Sequence, residues 1–383
     1  MEAFCLALPK IELHAHLNGS LSDSTLLQLQ KLNNEDGTAD GRAPEFKIIH
    51  GRSRTLSECF ALFKTAHDLT QTPEAVRLAT TLTLEEFDRD NVVYLELRST
   101  PRANSNMTKK QYIQSIVDAI IECSKRLKLK TFLLISIDRR NTIEQATETV
   151  NIAIEMSKRY PGIILGLDLS GDPKVASFRD FADILDIGRK AGLGVTIHTA
   201  EVEADEETLE ILQWAPDRLG HVSCVTEDPS NPDSLWNTLL KSKIPIELCL
   251  SSNVKCEVVK SYSDHHFERL YKIGHPICLA TDDKGVFDTS LTAEFNLCAT
   301  TFGLTKQELW TLAFSATNFI LAPETIKKDL IETMLVRGPS LTTREPHFFI
   351  APTWTPVGSL VNPFGNHCFS VFTDQTIQHI ENF

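Results

Sequence analysis

Cations are scarce in this sequence: 38 lysines and arginines stand against 51 aspartates and glutamates, a formal net charge of -13 over 383 residues. That deficit argues against a nucleic-acid polymer as partner, because such binding needs a basic footprint to displace counterions from phosphates. A small anion is compatible only where cations gather locally. No apolar run approaches the roughly 18 residues of a transmembrane helix, so no membrane partner is expected. The start, MEAFCLALPK, has an early Glu2 and no basic stretch ahead of an apolar one, and so does not read as a secretory signal. Nine cysteines, an odd number with no C-x-x-C spacing, fit a reducing compartment better than a disulfide framework. A cytoplasmic location is the expectation. Also missing are a G-x-G-x-x-G after a strand, an H-E-x-x-H, and a P-C-x-x-C accompanied by H-x-E. Their absence excludes a dinucleotide fingerprint, a zincin protease and the Cys-ligated zinc deaminase fold.

What is present is a globular composition, 42% hydrophobic and 23% charged, with a regular alternation. Eight short apolar runs recur: KIELHAHLNG (10–19), VVYLELRS (92–99), TFLLISID (131–138), IILGLDLSG (163–171), GVTIHTAE (194–201), RLGHVS (218–223), IPIELCLSSN (244–253) and PICLATDD (276–283). Such Leu- and β-branched-rich runs are what parallel strands covered on both faces look like. Amphipathic segments at helical spacing, such as 111–128, 142–159 and 177–191, separate them. The alternation implies βαβ units, and eight strands favour a closed (β/α)₈ TIM barrel over an open doubly wound sheet. A helical insertion at about 20–90, with a loop at 33–45, is expected to fold over the barrel mouth. The expected division is a barrel over 1–334 and an irregular, poorly ordered tail over 335–383, rich in Pro and aromatics without a helical or strand period.

Polar and ionisable side chains fall at the C-terminal ends of these strands, where barrel enzymes keep their chemistry. His14 and His16 lie two apart on one strand and so share a face. His198 ends the fifth strand and Asp282 the eighth. A lone histidine is usually a satisfied core or surface residue. Three imidazoles and one carboxylate at the same end of separate strand positions instead suit one Zn²⁺ per chain, with a coordination position left for water. Glu201, three residues beyond His198, is a candidate general acid if burial raises its pKa. Its alternative is a first-turn glutamate, which the run EVEADEE makes credible. His221 is placed to orient the nucleophile or take its proton, against the alternative of a buried, hydrogen-bonded histidine. Asp283 reads as a substrate contact or a turn residue, and Gly171 as a close approach of backbone to a planar ligand or a turn.

Together, IELHAHLNGS (11–20), LDLSGDP (167–173), IHTAE (197–201), RLGHVS (218–223), LCLSSNV (248–254) and LATDDKGVF (279–287) resemble the adenosine/AMP deaminase family, in its order, from residue 9 to about 330. The resemblance implies a zinc-dependent purine deaminase. His14, His16, His198 and Asp282 become the metal ligands, with His16 also facing substrate. It makes Glu201 the proton donor to N1, His221 the base on water, Asp283 the N7 partner and Gly171 the N3 contact. The family's adenosine-specific members carry Asp where this chain has Asn18. A carboxylate there repels a phosphate monoester, whereas an amide can hydrogen-bond one. Arg98, Ser99, Thr100 and Arg102 of LRSTPR, with His67 from the insertion, are then the expected phosphate donors. HLNGS with LRSTPR resembles the N6-methyl-AMP deaminase branch, to whose substrate-facing groups Asp138 is similar. The expected partner is therefore a small purine nucleotide bound to a monomer. Three other readings stay open: deamination of free adenosine, a two-metal amidohydrolase, and a non-catalytic nucleotide-binding module. The second usually bridges its metals with a strand-end Lys, which IILGLDLSG lacks.

Overall fold

The structure, a computed structural model, describes residues 1–35 and 56–338. Eight strands run β1 (Lys10–His16), β2 (Val92–Ser99), β3 (Lys130–Asp138), β4 (Ile164–Ser170), β5 (Gly194–Thr199), β6 (Arg218–His221), β7 (Ile246–Leu248) and β8 (Ile277–Leu279). Each pairs in parallel with the next. The ring closes where Ala15 bridges Asp282: the His16 N–H donates to the Asp282 carbonyl at 2.9 Å and the Asp282 N–H to the His14 carbonyl at 2.8 Å. This is the barrel expected from the alternation, and the strands fall within or beside the eight runs.

The helices between strands start where the sequence caps them. Thr108 with Gln111, Thr142 with Gln145 and Ser177 with Asp180 each form a capping box, satisfying backbone N–H groups that a first turn leaves without partners. Odd-numbered strand residues such as Leu13, Leu97, Ile135, Leu167 and Ile197 are buried in the apolar layer under these helices. The lumen-facing positions, even-numbered on β1, β2, β4 and β6 and odd on β7, are different. Glu12, Glu96, Arg98, Asp168, Arg218 and Glu247 are fully buried too. Arg98 on β2 reaches Asp168 on β4 at 3.1 Å and Glu247 on β7 at 2.5 Å, contacts that only the barrel lumen permits. Arg218 on β6 binds Glu96 on β2 and Glu247 on β7, each at 2.6 Å. The lumen is thus packed with paired charge, where barrels more often stack branched apolar side chains.

The insertion is helical in its described part: Asp23–Glu35, Leu56–Leu69 and Pro73–Arg89. The loop expected over 33–45 lies outside the described residues from residue 36 on. At the other end a helix runs Glu324–Arg337, past the boundary expected at 334. The tail expectation from residue 339 onward lies outside the described residues. Among the described residues no helix is long and apolar enough to cross a membrane.

Candidate active site

Four side chains converge where β1, β5 and β8 end. His16 Nε2 stands 3.3 Å from His14 Nε2, 3.2 Å from His198 Nε2 and 3.5 Å from Asp282 Oδ1, and His14 Nε2 stands 3.3 Å from that oxygen. Their tautomers decide what this means. His14 Nδ1 faces Glu247 Oε2 at 2.7 Å, and His198 Nδ1 faces the Leu169 carbonyl at 3.0 Å and Asp168 Oδ1 at 3.1 Å. These partners only accept, so each Nδ1 carries a proton, and each ring when neutral turns a bare Nε2 inward. Burial works to raise the Asp282 pKa, but the facing imidazoles of His14, His221 and His16 hold its carboxyl well below the carboxylate range. Lone pairs and an anion aimed at one point repel unless a cation lies between them. Ligand atoms at ~2.0–2.1 Å from a tetrahedral ion stand about 3.3 Å apart, and these four separations bracket that value. The donor set fits a metal such as zinc. Glu247, Leu169 and Asp168 hold the outer nitrogens as such sites require, and Ser252 Oγ donates to Asp282 Oδ2 at 2.7 Å.

Around this cradle the backbone leaves the strand region. Gly171, Ala200, His221, Val222 and Asp282 all have positive φ, from 50° to 93°, and each follows or ends a strand. Non-glycine residues held there are strained and persist where the surroundings impose them. Gly171 is both left-handed and crowded, since a Cβ would lie 2.5 Å from Asp138 Oδ1. Gly220 leaves room for the His14 ring, whose Cε1 would be 3.0 Å from an added Cβ.

His221 is buried, with Nε2 3.6 Å from Glu201 Oε1 and 4.0 Å from Asp282 Oδ2. Burial holds its imidazole well below the usual histidine range. Burial likewise pushes the Glu201 carboxyl up, with Asp282 adding to the effect. Asp283 is buried and its Oδ1 has no hydrogen-bond partner among the described residues. Desolvation, then the charges of Asp282 and Glu201, push its carboxyl well above the ordinary range. It lies over Gly19, where a Cβ would sit 1.6 Å from Oδ1. Two carboxyls whose surroundings raise their pKa values therefore face a cradle built for a cation.

A second cluster lies beside the first. Asn18 Nδ2 donates to Thr70 Oγ1 at 3.2 Å and its Oδ1 accepts from Tyr112 at 2.8 Å. Arg102 donates to Thr70 Oγ1 at 2.7 Å and more weakly to the His67 carbonyl at 3.5 Å, while its Nε has no partner among the described residues. Half-buried His67 has its pKa lowered to about 4 by burial and then by Arg102 and Arg140. Thr100 is half-buried just past β2. Asp138 closes β3, bound by Arg140 Nε at 2.9 Å, against Gly171. Two expectations fail. Arg98 cannot hold a phosphate: it is fully buried in the lumen, committed to Asp168, Glu247 and the Leu13 carbonyl. Ser99 is buried with its hydroxyl paired to that of Tyr112 at 2.8 Å. In a strand, adjacent residues face opposite sides, so LRSTPR could not present all its polar groups together.

Sequence reasoning missed Thr70, Tyr112, Glu247, Ser252 and Asn253. Ser252 and Asn253 stand in the quoted LCLSSNV run, but nothing local assigned them partners. Tyr112 occupies an apolar-phase helical position and reads as core.

The adenosine deaminase family model matches residues 9–336. The N6-methyl-AMP deaminase of Danio rerio is 41% identical over 343 residues, covering 87% of this chain and 96% of that one. Among solved structures, Arabidopsis ADAL complexed with GMP superposes with a TM-score of 0.78 at 37% identity, over 88% of this chain and 99% of that one. The same protein complexed with IMP gives 0.77 at 37%, over 88% and 98%.

Proposed function

The chain belongs to the adenosine deaminase family, and on that premise we propose that it is a zinc-dependent aminohydrolase converting N6-methyl-AMP and water to IMP and methylamine, with related N6-alkyl-AMPs as further substrates. The observation that carries this reading is the convergence of His14, His16, His198 and Asp282 beside Glu201, His221 and Asp283. Zinc, which His14, His16, His198 and Asp282 would hold, would supply Lewis acidity that makes water a nucleophile at neutral pH.

The chain's own groups do the rest. Glu201, whose carboxyl pKa desolvation raises, gives its proton to purine N1 as oxygen adds to C6, which spares the ring an uncompensated negative charge. Of the water's two protons, one restores Glu201 and the other leaves with methylamine, so the carboxyl is ready for a second turnover. Asp283, held in its acid form, donates a hydrogen bond to N7. Gly171, lacking a side chain, lets the backbone approach the base near N3.

The 5′-phosphate is assigned to Asn18, Arg102, Thr100 and His67. The unpartnered Arg102 Nε supports this assignment, since an orphaned buried donor awaits an acceptor. Similarity to proteins solved with the 6-oxo nucleotides GMP and IMP supports a phosphorylated ligand. Binding energy gathered there orients the base at the reacting centre.

The test is a panel of adenosine, AMP, N6-methyl-AMP and larger N6-alkyl-AMPs run on the wild type and Asn18→Asp. We expect Asn18→Asp to lose kcat/KM for nucleotides by about 10²-fold, roughly one charge-assisted hydrogen bond replaced by repulsion, while adenosine turnover stays within a few-fold. Better turnover of adenosine than of any nucleotide by the wild type would establish the nucleoside reading instead. Nucleotide binding without product would leave only a binding module.

A further inference from the structure

Behind His221 runs a chain of hydrogen bonds whose directions are forced. The Phe267 backbone N–H meets His265 Nδ1 at 3.0 Å. An amide N–H only donates, so Nδ1 is bare, and the proton of this buried, neutral ring sits on Nε2. That Nε2–H faces Asn253 Oδ1 at 3.0 Å, which fixes the side-chain amide's orientation. Asn253 Nδ2 therefore faces His221 Nδ1, at 3.1 Å. An NH₂ group also only donates, so His221 Nδ1 is the acceptor and its ring proton lies on Nε2, the nitrogen turned towards Glu201 and Asp282.

A second contact holds the same residue by its backbone. His266 stacks on His265 with centroids 4.2 Å apart and directs its Nε2 at the His221 carbonyl, 2.7 Å away. His221 has φ 65° and Val222 φ 57°, two consecutive left-handed residues without glycine. Such a conformation is costly and needs an external hold; the His266 hydrogen bond supplies one.

We infer that Asn253, His265 and His266 are positioning residues of the deamination: the first two fix His221 as an Nε2–H donor, and the third fixes the backbone that aims it. His221 then hydrogen-bonds the attacking oxygen through its N–H and is not the base that deprotonates it. This rests on the deaminase reading above, and it separates His221 from Glu201, which remains the proton carrier.

The test uses the metal-loaded full chain with ¹⁵N-labelled histidine. In the wild type, long-range ¹H–¹⁵N correlation should show His221 protonated at Nε2 and bare at Nδ1; a proton on Nδ1 overturns the proposal whatever the activity. Asn253→Asp presents an acceptor to Nδ1 and should exchange the two nitrogen signals. It should lower kcat by about 10²- to 10⁴-fold, the range for a misplaced catalytic proton, with KM changed less than about threefold. His265→Gln, whose amide can donate to Asn253 and accept from Phe267, should restore kcat to within about fivefold, whereas His265→Phe should not. Metal content and IMP binding, measured on each variant, separate these effects from unfolding. Equal losses in His265→Gln and His265→Phe, or an unchanged kcat in Asn253→Asp, overturn the proposal. A wild type that deaminates no purine nucleotide fails the functional reading instead, and leaves the tautomer assignment standing or falling on its spectrum.

Discussion

The lumen of the barrel and its mouth use the same residue types to opposite ends. In the lumen two arginines and three carboxylates meet one another, while Glu12 is held by the His14 and Thr281 N–H groups and the Thr281 hydroxyl. Arg218 lies between Glu96 and Glu247, Arg98 between Glu247 and Asp168, and Ser136 Oγ and Tyr94 OH satisfy carboxylate oxygens that remain, at 2.7 and 2.6 Å. At the mouth, Asp283 Oδ1 has no partner among the described residues, the Glu201 and Asp283 carboxyls have raised pKa values, and five residues take left-handed backbone. Pairing fixes a group's protonation state and removes it from chemistry. Leaving it unpaired keeps it available, at a cost that the paired layer beneath must offset. Asp168 and Glu247 belong to both regions, since each pairs an arginine below and a histidine of the cradle above.

If that division is right, a mouth variant loses rate and not stability. Glu201→Gln should lower kcat by about 10³-fold or more, within the usual span for a general acid, with a melting temperature unchanged in thermal denaturation. The wild type should show the matching pH profile. The active form of Glu201 is the acid and burial raises its pKa, so kcat/KM declines as pH rises through that folded value, above the ordinary carboxylate range. A flat alkaline limb in wild type, or a limb that persists in Glu201→Gln, breaks the assignment.

The converse holds for the lumen. Glu96→Gln strips one counter-charge from Arg218 without touching the cradle. It should cost about 3 kcal/mol in denaturant unfolding, as removal of one partner of a buried ion pair does, while kcat per folded molecule stays within about twofold. The smallest effect expected is that of Ser136→Ala, which removes a single hydrogen bond to Asp168 Oδ2 and should cost about 1 kcal/mol. A Ser136→Ala variant that lost kcat as steeply as Glu201→Gln would erase the distinction between the two layers.

The sequence disclosed the mouth better than the lumen, for a physical reason. Functional groups at strand ends interrupt a run, as His198 does in VTIHTAE and Asp282 in LATDD, and a repeat of such interruptions is visible along one dimension. The barrel and the strand positions of the four donors followed from that. The lumen charges sit inside the runs, at the even positions of KIELHAH and VVYLELRS, and their partners lie on strands far away in sequence. Arg98 was misassigned for this cause: nothing local tells a buried arginine from a phosphate-binding one. The insertion's role was partly legible. His67 and Asn18 come together around Arg102, but Thr70 and Tyr112, which hold Asn18, looked like helix filler. The His265–Asn253 path was invisible because it depends on amide orientation and ring tautomers, which no residue pattern encodes.

The seam between β1 and β8 carries a consequence for how the molecule assembles. Asp282 closes the ring with its main chain, exchanging hydrogen bonds with His14 and His16, and offers its carboxylate to those same two residues' rings. Folding must therefore bring the earliest strand against the last before the fourth donor exists, a contact of very high sequence separation and hence a late one. If the cradle holds an ion as proposed, ion affinity becomes a report that the circle is complete, because the carboxylate of the set is in place only once the first strand meets the last.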